Sequence, residues 1–246
     1  GKLKVSIHGA GKLGGERGMA EGVQLGTLEM ACITTAVLGN FVPEINVLDI
    51  PFFFPNRQVT YQVLSSPEVE PIWEIFKDYG FVATGFYGEV GARDFGNTKH
   101  PITKPEDFEG LKFRVHESRT TIEMYKLLGA NPVPLPFTEL FSALQKGVVD
   151  GQDLPLVIQF VTKFYEVTKY ITDIEYTVTL MPFIANKAWF EKLPPKLQTV
   201  IIDGTEHAQL TNRRINLRLR DVATKVITEK GGKIVKVRGE QREKFA

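Results

Sequence analysis

The pattern of apolar and polar residues changes its period several times along the chain. Short apolar or alternating runs predict strands at residues 3–8, 81–87, 111–115, 148–150 and 233–237. Longer amphipathic runs between them predict helices, the longest over residues 195–230. Strands that alternate with helices indicate an α/β fold in which helices flank mixed sheets.

Small polar residues and glycines mark the ends of the predicted helices. Ser118 is expected to cap a helix that ends at Gly129, and Thr138 is expected to cap a helix that ends at Gly147. Residues 131–136 contain three prolines and are expected to form an extended connector.

The strands and helices fall into two groups, which predicts two lobes with a cleft between them. We assign residues 1–94 and 182–246 to lobe I, and residues 95–181 to lobe II. The boundaries follow the positions at which the two groups separate and rejoin.

Composition excludes several classes of function. The 246 residues are 43 % hydrophobic, enough for a substantial core, and 30 Lys and Arg balance 29 Asp and Glu. A net charge of +1 gives no electrostatic reason to expect a nucleic-acid partner or a membrane-surface partner. Cys32 is the single cysteine, which excludes an internal disulfide and a CxxC motif, and we expect it to be a small buried hydrophobe.

A glycine-rich segment at residues 9–14 matches the pattern GxGxxG after a predicted strand. One hypothesis is a nucleotide-dependent oxidoreductase that holds a pyrophosphate at this loop. The preceding strand is half polar, whereas the first strand of a dinucleotide fold is apolar on both faces. The helix is also expected to begin only after Gly15, which favours a simple turn.

No motif predicts a hydrolase or a metal centre. The sequence has no GxSxG motif, and its four histidines lack the spacing of metal ligands. We expect each histidine to be structural or solvated. Four arginines of the long helix are interpreted as a solvated face: Arg213, Arg214, Arg218 and Arg220.

Arg114 is the most informative charged residue. It stands in a short apolar strand, where Leu111, Phe113 and Val115 share one face and Arg114 lies on the other. In α/β sheets, ligands bind beyond the carboxyl ends of the strands, and a guanidinium there has paired donors that match a carboxylate. A structural ion pair with a neighbouring acidic residue is an equally good interpretation of this position.

Several ordered motifs resemble the tripartite ATP-independent periplasmic (TRAP) transporter solute-binding proteins, the DctP-like family. The most specific is PEDFEGLKFRV at residues 105–115. The resemblance continues over most of the chain, at residues 13–17, 24–29, 91–93, 128–132, 137–140, 143–145, 148–152, 164–167 and 189–198. Compared with that family, we expect this chain to be part of a longer protein.

The resemblance implies a type II-like periplasmic-binding-protein fold with two α/β lobes and a long helix that spans both. It implies a monomeric binding protein in the periplasm, without enzymatic activity or cofactor, that delivers an organic acid to membrane permease subunits. A role in a sensor instead of a transporter stays open.

The resemblance also assigns the ligand site. Arg114 takes the position of the arginine that pairs with the ligand carboxylate, Arg93 that of an assisting arginine, and Phe137 that of a ring that packs on the ligand. Thr34 and Tyr176 match polar ligand contacts of some members, and Glu16, in the matching segment at residues 13–17, is also assigned to the ligand site.

One departure concerns the residues after Asp150. The family often has an asparagine that reaches the ligand where this chain has Leu154. Leucine cannot form that hydrogen bond, so the contact is either lost or supplied by Gln152.

The expected ligand is a monocarboxylate with a sizeable body, because Leu154 and nearby aromatic residues replace polar contacts. The aromatic residues considered are Phe137, Tyr176, Phe86 and Tyr87. A sugar acid such as a uronate is the first choice, and a C4-dicarboxylate or a 2-oxo acid is the alternative.

Overall fold

The computed structural model describes residues 3–85 and 89–246. Its α-helices are α1 (Glu16–Leu25), α2 (Thr35–Leu38), α3 (Arg57–Leu64), α4 (Glu70–Glu74), α5 (Arg119–Leu127), α6 (Phe137–Gln145), α7 (Leu156–Val161), α8 (Lys187–Glu191), α9 (Pro195–Glu229) and α10 (Glu240–Glu243). Its strands are β1 (Met30–Cys32), β2 (Phe81–Gly85), β3 (Glu89–Ala92), β4 (Phe95–Asn97), β5 (Lys112–Val115), β6 (Asn131–Pro134), β7 (Gly151–Gln152), β8 (Tyr170–Asp173), β9 (Val178–Leu180), β10 (Phe183–Asn186) and β11 (Lys233–Lys236). Short 3-10 helices cover Pro43–Asp49, Pro67–Val69, Ile75–Tyr79, Pro105–Phe108 and Phe164–Glu166.

A three-stranded antiparallel sheet with the order β1-β10-β2 organises one part of the molecule. The five residues of β2 are all buried, so both faces of this strand are covered. The sheet packs with α1, α2 and the helical segment at residues 67–79 around one core, to which Leu38, Trp73 and Phe76 contribute.

A six-stranded mixed sheet with the order β11-β8-β4-β7-β5-β6 organises the other part. The pairs β11–β8, β7–β5 and β5–β6 are parallel, and β4 is antiparallel to both of its neighbours. A cluster of aromatic rings fills the core on one face, and its members are Phe95, Phe108, Phe113, Tyr125, Tyr176 and Phe245.

As predicted, the long helix α9 connects the two parts: it contacts β2 of the three-stranded sheet, β11 of the six-stranded sheet, and β3, which pairs with β9 in a two-stranded antiparallel sheet. It has 35 residues and is therefore about 50 Å long. Thr205 donates to the backbone oxygen of Thr84 and Gln209 to that of Gly85, so both side chains fix α9 on β2. Its C-terminal half packs on α7 and β11.

Several predicted elements are wrong in detail. Residues 3–8 form no strand, and Val5 and Ile7 are 72 % and 90 % exposed, because no neighbouring strand pairs with this alternating segment. The α6 helix begins at Phe137, so Thr138 lies inside it and is no cap. The strand expected at residues 148–150 is found as β7 at Gly151–Gln152, directly after the predicted range.

The proline-rich connector is also a strand. Residues of β6 pair in parallel with β5, with Arg114 opposite Val133 and Val115 opposite Pro134. Proline lacks the backbone donor that a central strand needs, and β6 lies at the edge of the sheet, where this loss is tolerated.

The division into residues 1–94, 95–181 and 182–246 stays a prediction. The strand β11, which this division places in lobe I, pairs with β8 in the six-stranded sheet. The C-terminal end of α9 lies beside the six-stranded sheet, so the strand that follows the helix joins this sheet.

In the described ranges, no helix combines the length and the apolar composition that a bilayer span requires.

Candidate functional site

Arg114 is held near the carboxyl end of β5, with its side chain on the face opposite the aromatic core. Phe113 and Val115 are fully buried in that core, as the alternation of the strand requires. The residue is only 2 % exposed, and its Nε donates to the backbone oxygen of Leu135 at 2.9 Å. This bond fixes the guanidinium against the segment between β6 and α6.

Among the described residues, the terminal nitrogens of Arg114 have no acidic partner within ion-pair distance. Nη1 is buried and has no hydrogen-bond partner among the described residues, and no ion pair of the described residues includes this side chain. Burial lowers the pKa of Arg114 to about 10, and the neighbouring charge of Arg93 adds to this effect, while Asp153 and Glu16 oppose it. The structural ion pair considered as an alternative is therefore absent from this part of the chain.

A cavity lies in front of Arg114, with about 370 Å³ of space free of protein atoms, including its mouth. On the side of β5 it is lined by Arg114, His116 and Phe137, and on the opposite side by Glu16 and Val37. Phe137 is 39 % exposed, so its ring is available to a ligand. The cavity therefore combines the buried cation of Arg114, the carboxylate of Glu16 and an apolar surface, and Arg17 and Glu117 add a second pair of charges to its lining.

Glu16 begins α1 and faces Arg114 across the cavity without forming an ion pair with it. Its carboxylate accepts from the hydroxyl of Thr34 at 2.7 Å and from the backbone nitrogen of Thr34 at 3.4 Å. Burial raises the pKa of Glu16, and the bonds from Thr34 and the charges of Arg114 and Arg93 partly offset this rise. Thr34 thus orients Glu16 and does not itself line the cavity.

Arg93 lies behind the cavity in a closed network. Its Nη1 bonds the carboxylate of Asp153 at 3.0 Å and the backbone oxygen of Asp153 at 2.8 Å, while Nη2 contacts Nε2 of His116. Tyr176 donates its hydroxyl proton to the other carboxylate oxygen of Asp153. Arg93 and Tyr176 are thereby joined through Asp153, and neither lines the cavity.

Gln152 and Leu154 also lie away from the cavity. The Oε1 atom of Gln152 accepts from the backbone nitrogen of Leu154, while its Nε2 is buried without a partner among the described residues. Leu154 is 4 % exposed and packs in a core cluster with Leu140 and Phe164. The structure therefore separates these two residues from Arg114, Glu16 and Phe137.

Contacts at the mouth of the cavity join its two walls. The carboxylate of Glu117 lies 3.2 Å from Nη1 of Arg17, and the backbone oxygen of Glu117 accepts from Nδ2 of Asn40 at 2.6 Å. Arg17 also pairs with Glu21 on its own helix at 3.2 Å. Both walls are thus in contact at this point.

Three ionisable residues of the cavity lining were not predicted as site residues from the sequence: Arg17, His116 and Glu117. The signal available for His116 was its spacing, because residues two apart on a strand point to the same side and His116 follows Arg114 by two. Two aromatic residues considered for the site, Phe86 and Tyr87, lie outside the described residues.

The geometry contradicts the nucleotide hypothesis. Residues 3–8, which lead into residues 9–14, form no strand, and α1 begins only at Glu16, after this loop. Cys32, expected to be a small buried hydrophobe, is half-buried, and its thiol donates to the backbone oxygen of Met181 at 3.3 Å. Burial raises the pKa of the Cys32 thiol to about 12.

Comparison with known proteins places the chain in a family. Residues 1–246 match the family described as bacterial extracellular solute-binding protein, family 7, also called DctP. An uncharacterized protein of Haemophilus influenzae is 35 % identical over 218 residues, which are 89 % of this chain and 66 % of that protein. The 2,3-diketo-L-gulonate-binding periplasmic protein YiaO of Escherichia coli is 28 % identical over 215 residues, 87 % of this chain and 65 % of that protein. The chain thus spans less than two thirds of either relative.

Solved structures show the same fold. A TRAP periplasmic solute-binding protein from Sulfitobacter sp. with bound β-D-galacturonate superposes with a TM-score of 0.94 at 25 % identity, covering 99 % of this chain and 80 % of that one. The sugar acid binding protein DctPAm from Advenella mimigardefordensis, in complex with galactonate, superposes with a TM-score of 0.91 at 34 % identity, covering 96 % and 76 %. The two-lobed architecture predicted for the chain is therefore confirmed, and the chain belongs to the bacterial extracellular solute-binding proteins of family 7, with the fold of the TRAP periplasmic solute-binding proteins.

Proposed function

We propose that this chain binds a small organic acid, with a hydroxylated sugar acid as the preferred class, and that Arg114 holds the carboxylate. The observation that carries the proposal is the state of Arg114: a buried cation whose Nη1 has no partner in the described residues and which lines a cavity. A buried charge without a counter-ion is costly, and a bound carboxylate would supply the missing charge and hydrogen bonds.

The opposite wall favours hydroxyl groups over a second carboxylate. Glu16 stands there as an acceptor, oriented by Thr34. A ligand hydroxyl can donate to it, whereas a second anionic group would meet a like charge in a poorly solvated space. Arg17, the other arginine of the lining, is already paired with Glu117 and Glu21, so this argument supports a sugar acid over a C4-dicarboxylate, the alternative from the sequence.

Relatives of the chain bind ligands of the proposed class. β-D-galacturonate, galactonate and D-glucuronate are bound in structures of similar fold. Others hold orotic acid or D-erythronate, so the family accommodates varied acids. Each sugar acid in this set has one carboxylate and several hydroxyl groups, which is the combination that the cavity favours.

By analogy with these TRAP proteins, the proposed place of action is the periplasm and the proposed partners are the membrane subunits of a TRAP transporter. The chain would act as a monomer, without a cofactor and without covalent chemistry, since capture and release need only reversible contacts. Closure of the two walls around the ligand would remove water and strengthen the charged hydrogen bonds of Arg114.

A thermal-shift screen tests the proposal directly. The purified chain is heated with uronates, aldonates, C4-dicarboxylates and 2-oxo acids, because a ligand that binds the folded state raises the unfolding temperature. We expect the largest shift with a uronate or an aldonate, and a smaller one with succinate or malate. No shift with any of these acids would refute the proposal, and a larger shift with the dicarboxylates would refute the preference for sugar acids.

A further inference from the structure

His116 is a buried side chain for which the carboxylate site described above gives no role. It is 6 % exposed, follows β5 directly and lines the same cavity as Arg114. Residues two apart on a strand point to the same side, with about 7 Å between their Cα atoms. His116 and Arg114 therefore belong to one wall of the cavity.

The contact with Arg93 determines where the imidazole carries its proton. Arginine has only donors, so Nε2 of His116 must accept from Nη2 of Arg93 and cannot itself hold a proton. Burial lowers the pKa of His116 well below its ordinary value, and the charges of Arg93 and Arg114 lower it further, so the ring is neutral at pH 7. A neutral imidazole without a proton on Nε2 carries it on Nδ1.

The Nδ1–H group then lacks an acceptor. Nδ1 is buried and has no hydrogen-bond partner among the described residues. A buried donor without an acceptor costs free energy that a ligand oxygen would recover on binding. Arg93 cannot turn away to release the ring, because Asp153 holds its other terminal nitrogen at 3.0 Å from the carboxylate.

The wall thus presents two donor groups that differ in kind. The terminal nitrogens of Arg114 match both oxygens of one carboxylate, which leaves Nδ1–H of His116 for a neighbouring oxygen. In a small acid the nearest such oxygen is the one on carbon 2.

We infer that His116 is the specificity-determining residue of this cavity: its Nδ1–H, fixed by Arg93, donates to an oxygen on carbon 2 of the ligand, so that acids oxygenated at carbon 2 are preferred over their 2-deoxy analogues. Both a hydroxyl and a carbonyl oxygen can accept this bond. The inference rests on the proposed binding of a carboxylate at Arg114. Arg93 is a positioning residue in this arrangement.

Two pairs of matched ligands test the inference by titration calorimetry. They are D-galactonate with 2-deoxy-D-galactonate, and D-gluconate with 2-deoxy-D-gluconate. We expect the unmodified chain to bind the 2-hydroxy acid at least about tenfold more tightly in one or both pairs. In His116→Phe this ratio should fall to about one, while affinity for the 2-deoxy acid changes less than about threefold.

Two further variants separate specificity from general damage. His116→Asn places an amide nitrogen near the position of Nδ1 and should keep part of the preference for the 2-hydroxy acid. Arg114→Lys should weaken both members of a pair by a similar factor and leave their ratio unchanged. An undiminished ratio in His116→Phe would overturn the inference.

The outcomes distinguish this inference from the proposed function. If the two acids bind the unmodified chain equally well in both pairs, the inference fails and the carboxylate site stands. If none of the four acids binds, the proposal of a sugar-acid site fails as well. Should His116→Phe not fold, long-range ¹H–¹⁵N correlation spectra of the unmodified chain decide the tautomer, and a proton on Nε2 of His116 would overturn the inference.

Discussion

At the scale of the residue, the site depends on polar groups that are buried before any ligand arrives. Arg114 has one internal hydrogen bond and Glu16 is held by Thr34, so both keep capacity for a ligand. Sequence alone identified these residues through a family resemblance. It could not decide between a ligand site and an internal ion pair for Arg114, because that depends on which acidic groups the fold brings near it.

Replacement of Arg114 by lysine tests the anchoring role. We expect a loss of roughly 2–4 kcal/mol in binding free energy, because lysine keeps the charge but loses the paired geometry that matches a carboxylate. Titration calorimetry with the best acid of the screen measures it. Arg119→Lys, an exposed arginine on α5, is the matched control and should bind normally. A loss below about tenfold in Arg114→Lys would show that another group holds the carboxylate.

Asp49 gives the folded state a distinct dependence on pH. Its Oδ1 accepts from the hydroxyl of Thr35 at 2.9 Å, while Oδ2 is buried without a partner among the described residues. Burial raises the pKa of Asp49 to about 7, and the bond from Thr35 and the charge of Arg93 only partly oppose this. Between pH 4 and 7 the folded chain therefore binds more protons than the unfolded chain, and stability falls as pH rises through this range.

Asp49→Asn should remove this part of the pH dependence. The amide can still accept from Thr35, and it needs no charge in a buried place. We expect the variant to be more stable than the unmodified chain by about 2 kcal/mol at pH 8, with little difference at pH 4. Urea unfolding at both pH values measures this. An equal difference at the two pH values would contradict the prediction.

At the scale of the element, the amphipathic pattern predicted the helices better than the short strands. The 3.6-residue period of α9 repeats over 35 residues, so its bounds follow from sequence within one residue. A strand of two to five residues is too short to show a clear alternation, and it forms only where another strand pairs with it. Among the described residues no strand pairs with residues 3–8, whereas β5 pairs with β6. The arginines of α9, interpreted from the sequence as a solvated face, show in the same way that a sequence pattern does not reveal a partner supplied by the fold.

Arg220 corrects that interpretation, because its half-buried side chain links α9 to the six-stranded sheet. Its Nη1 lies 3.1 Å from Asp94, and its Nη2 lies 2.6 Å from Asp173 and 3.0 Å from Glu175. Asp94 in turn accepts from the backbone nitrogens of residues 174 and 175. Three acidic side chains thus converge on one guanidinium, an arrangement that only the packing of α9 reveals.

Arg220→Met should destabilise the fold by about 3–5 kcal/mol, because it leaves the buried carboxylate of Asp94 without its counter-ion, while Asp173 keeps its ion pair with Arg238. Arg218→Met, an exposed position on the same helix, is the control and should change stability by less than about 0.5 kcal/mol. Urea unfolding at pH 7 measures both variants. Similar stabilities of the two would mean that the ion pairs of Arg220 are replaced by water at no cost.

At the scale of the whole molecule, the structure brings together residues that are about a hundred positions apart. Glu117, after β5, contacts Arg17 on α1 and Asn40 after α2, and these contacts connect the walls of the cavity at its mouth. The form that retains a ligand is favoured only by contacts that the open form lacks. The contacts of Glu117 with Arg17 and Asn40 join the two walls and can supply such contacts.

Glu117→Gln should release a bound acid about two- to fivefold faster and leave the association rate unchanged, because an exposed ion pair contributes at most about 1 kcal/mol. Stopped-flow measurement of dissociation checks this. The control is Glu21→Gln, which removes the other carboxylate partner of Arg17 without touching the opposite wall. Equal dissociation rates for the two variants would exclude a role for Glu117 in retention.

The sequence by itself determined the α/β class, the long helix and the position of Arg114 on the polar side of β5, because periodicity and short motifs are local properties. Only the tertiary structure decided that Arg114 has no acidic partner in the described part of the chain, that Arg93 is occupied by Asp153, and that His116 lines the cavity. The reason is physical: the charge state and the free hydrogen-bonding capacity of a buried group depend on neighbours that are distant in sequence, and only the folded chain brings those neighbours within a few ångströms.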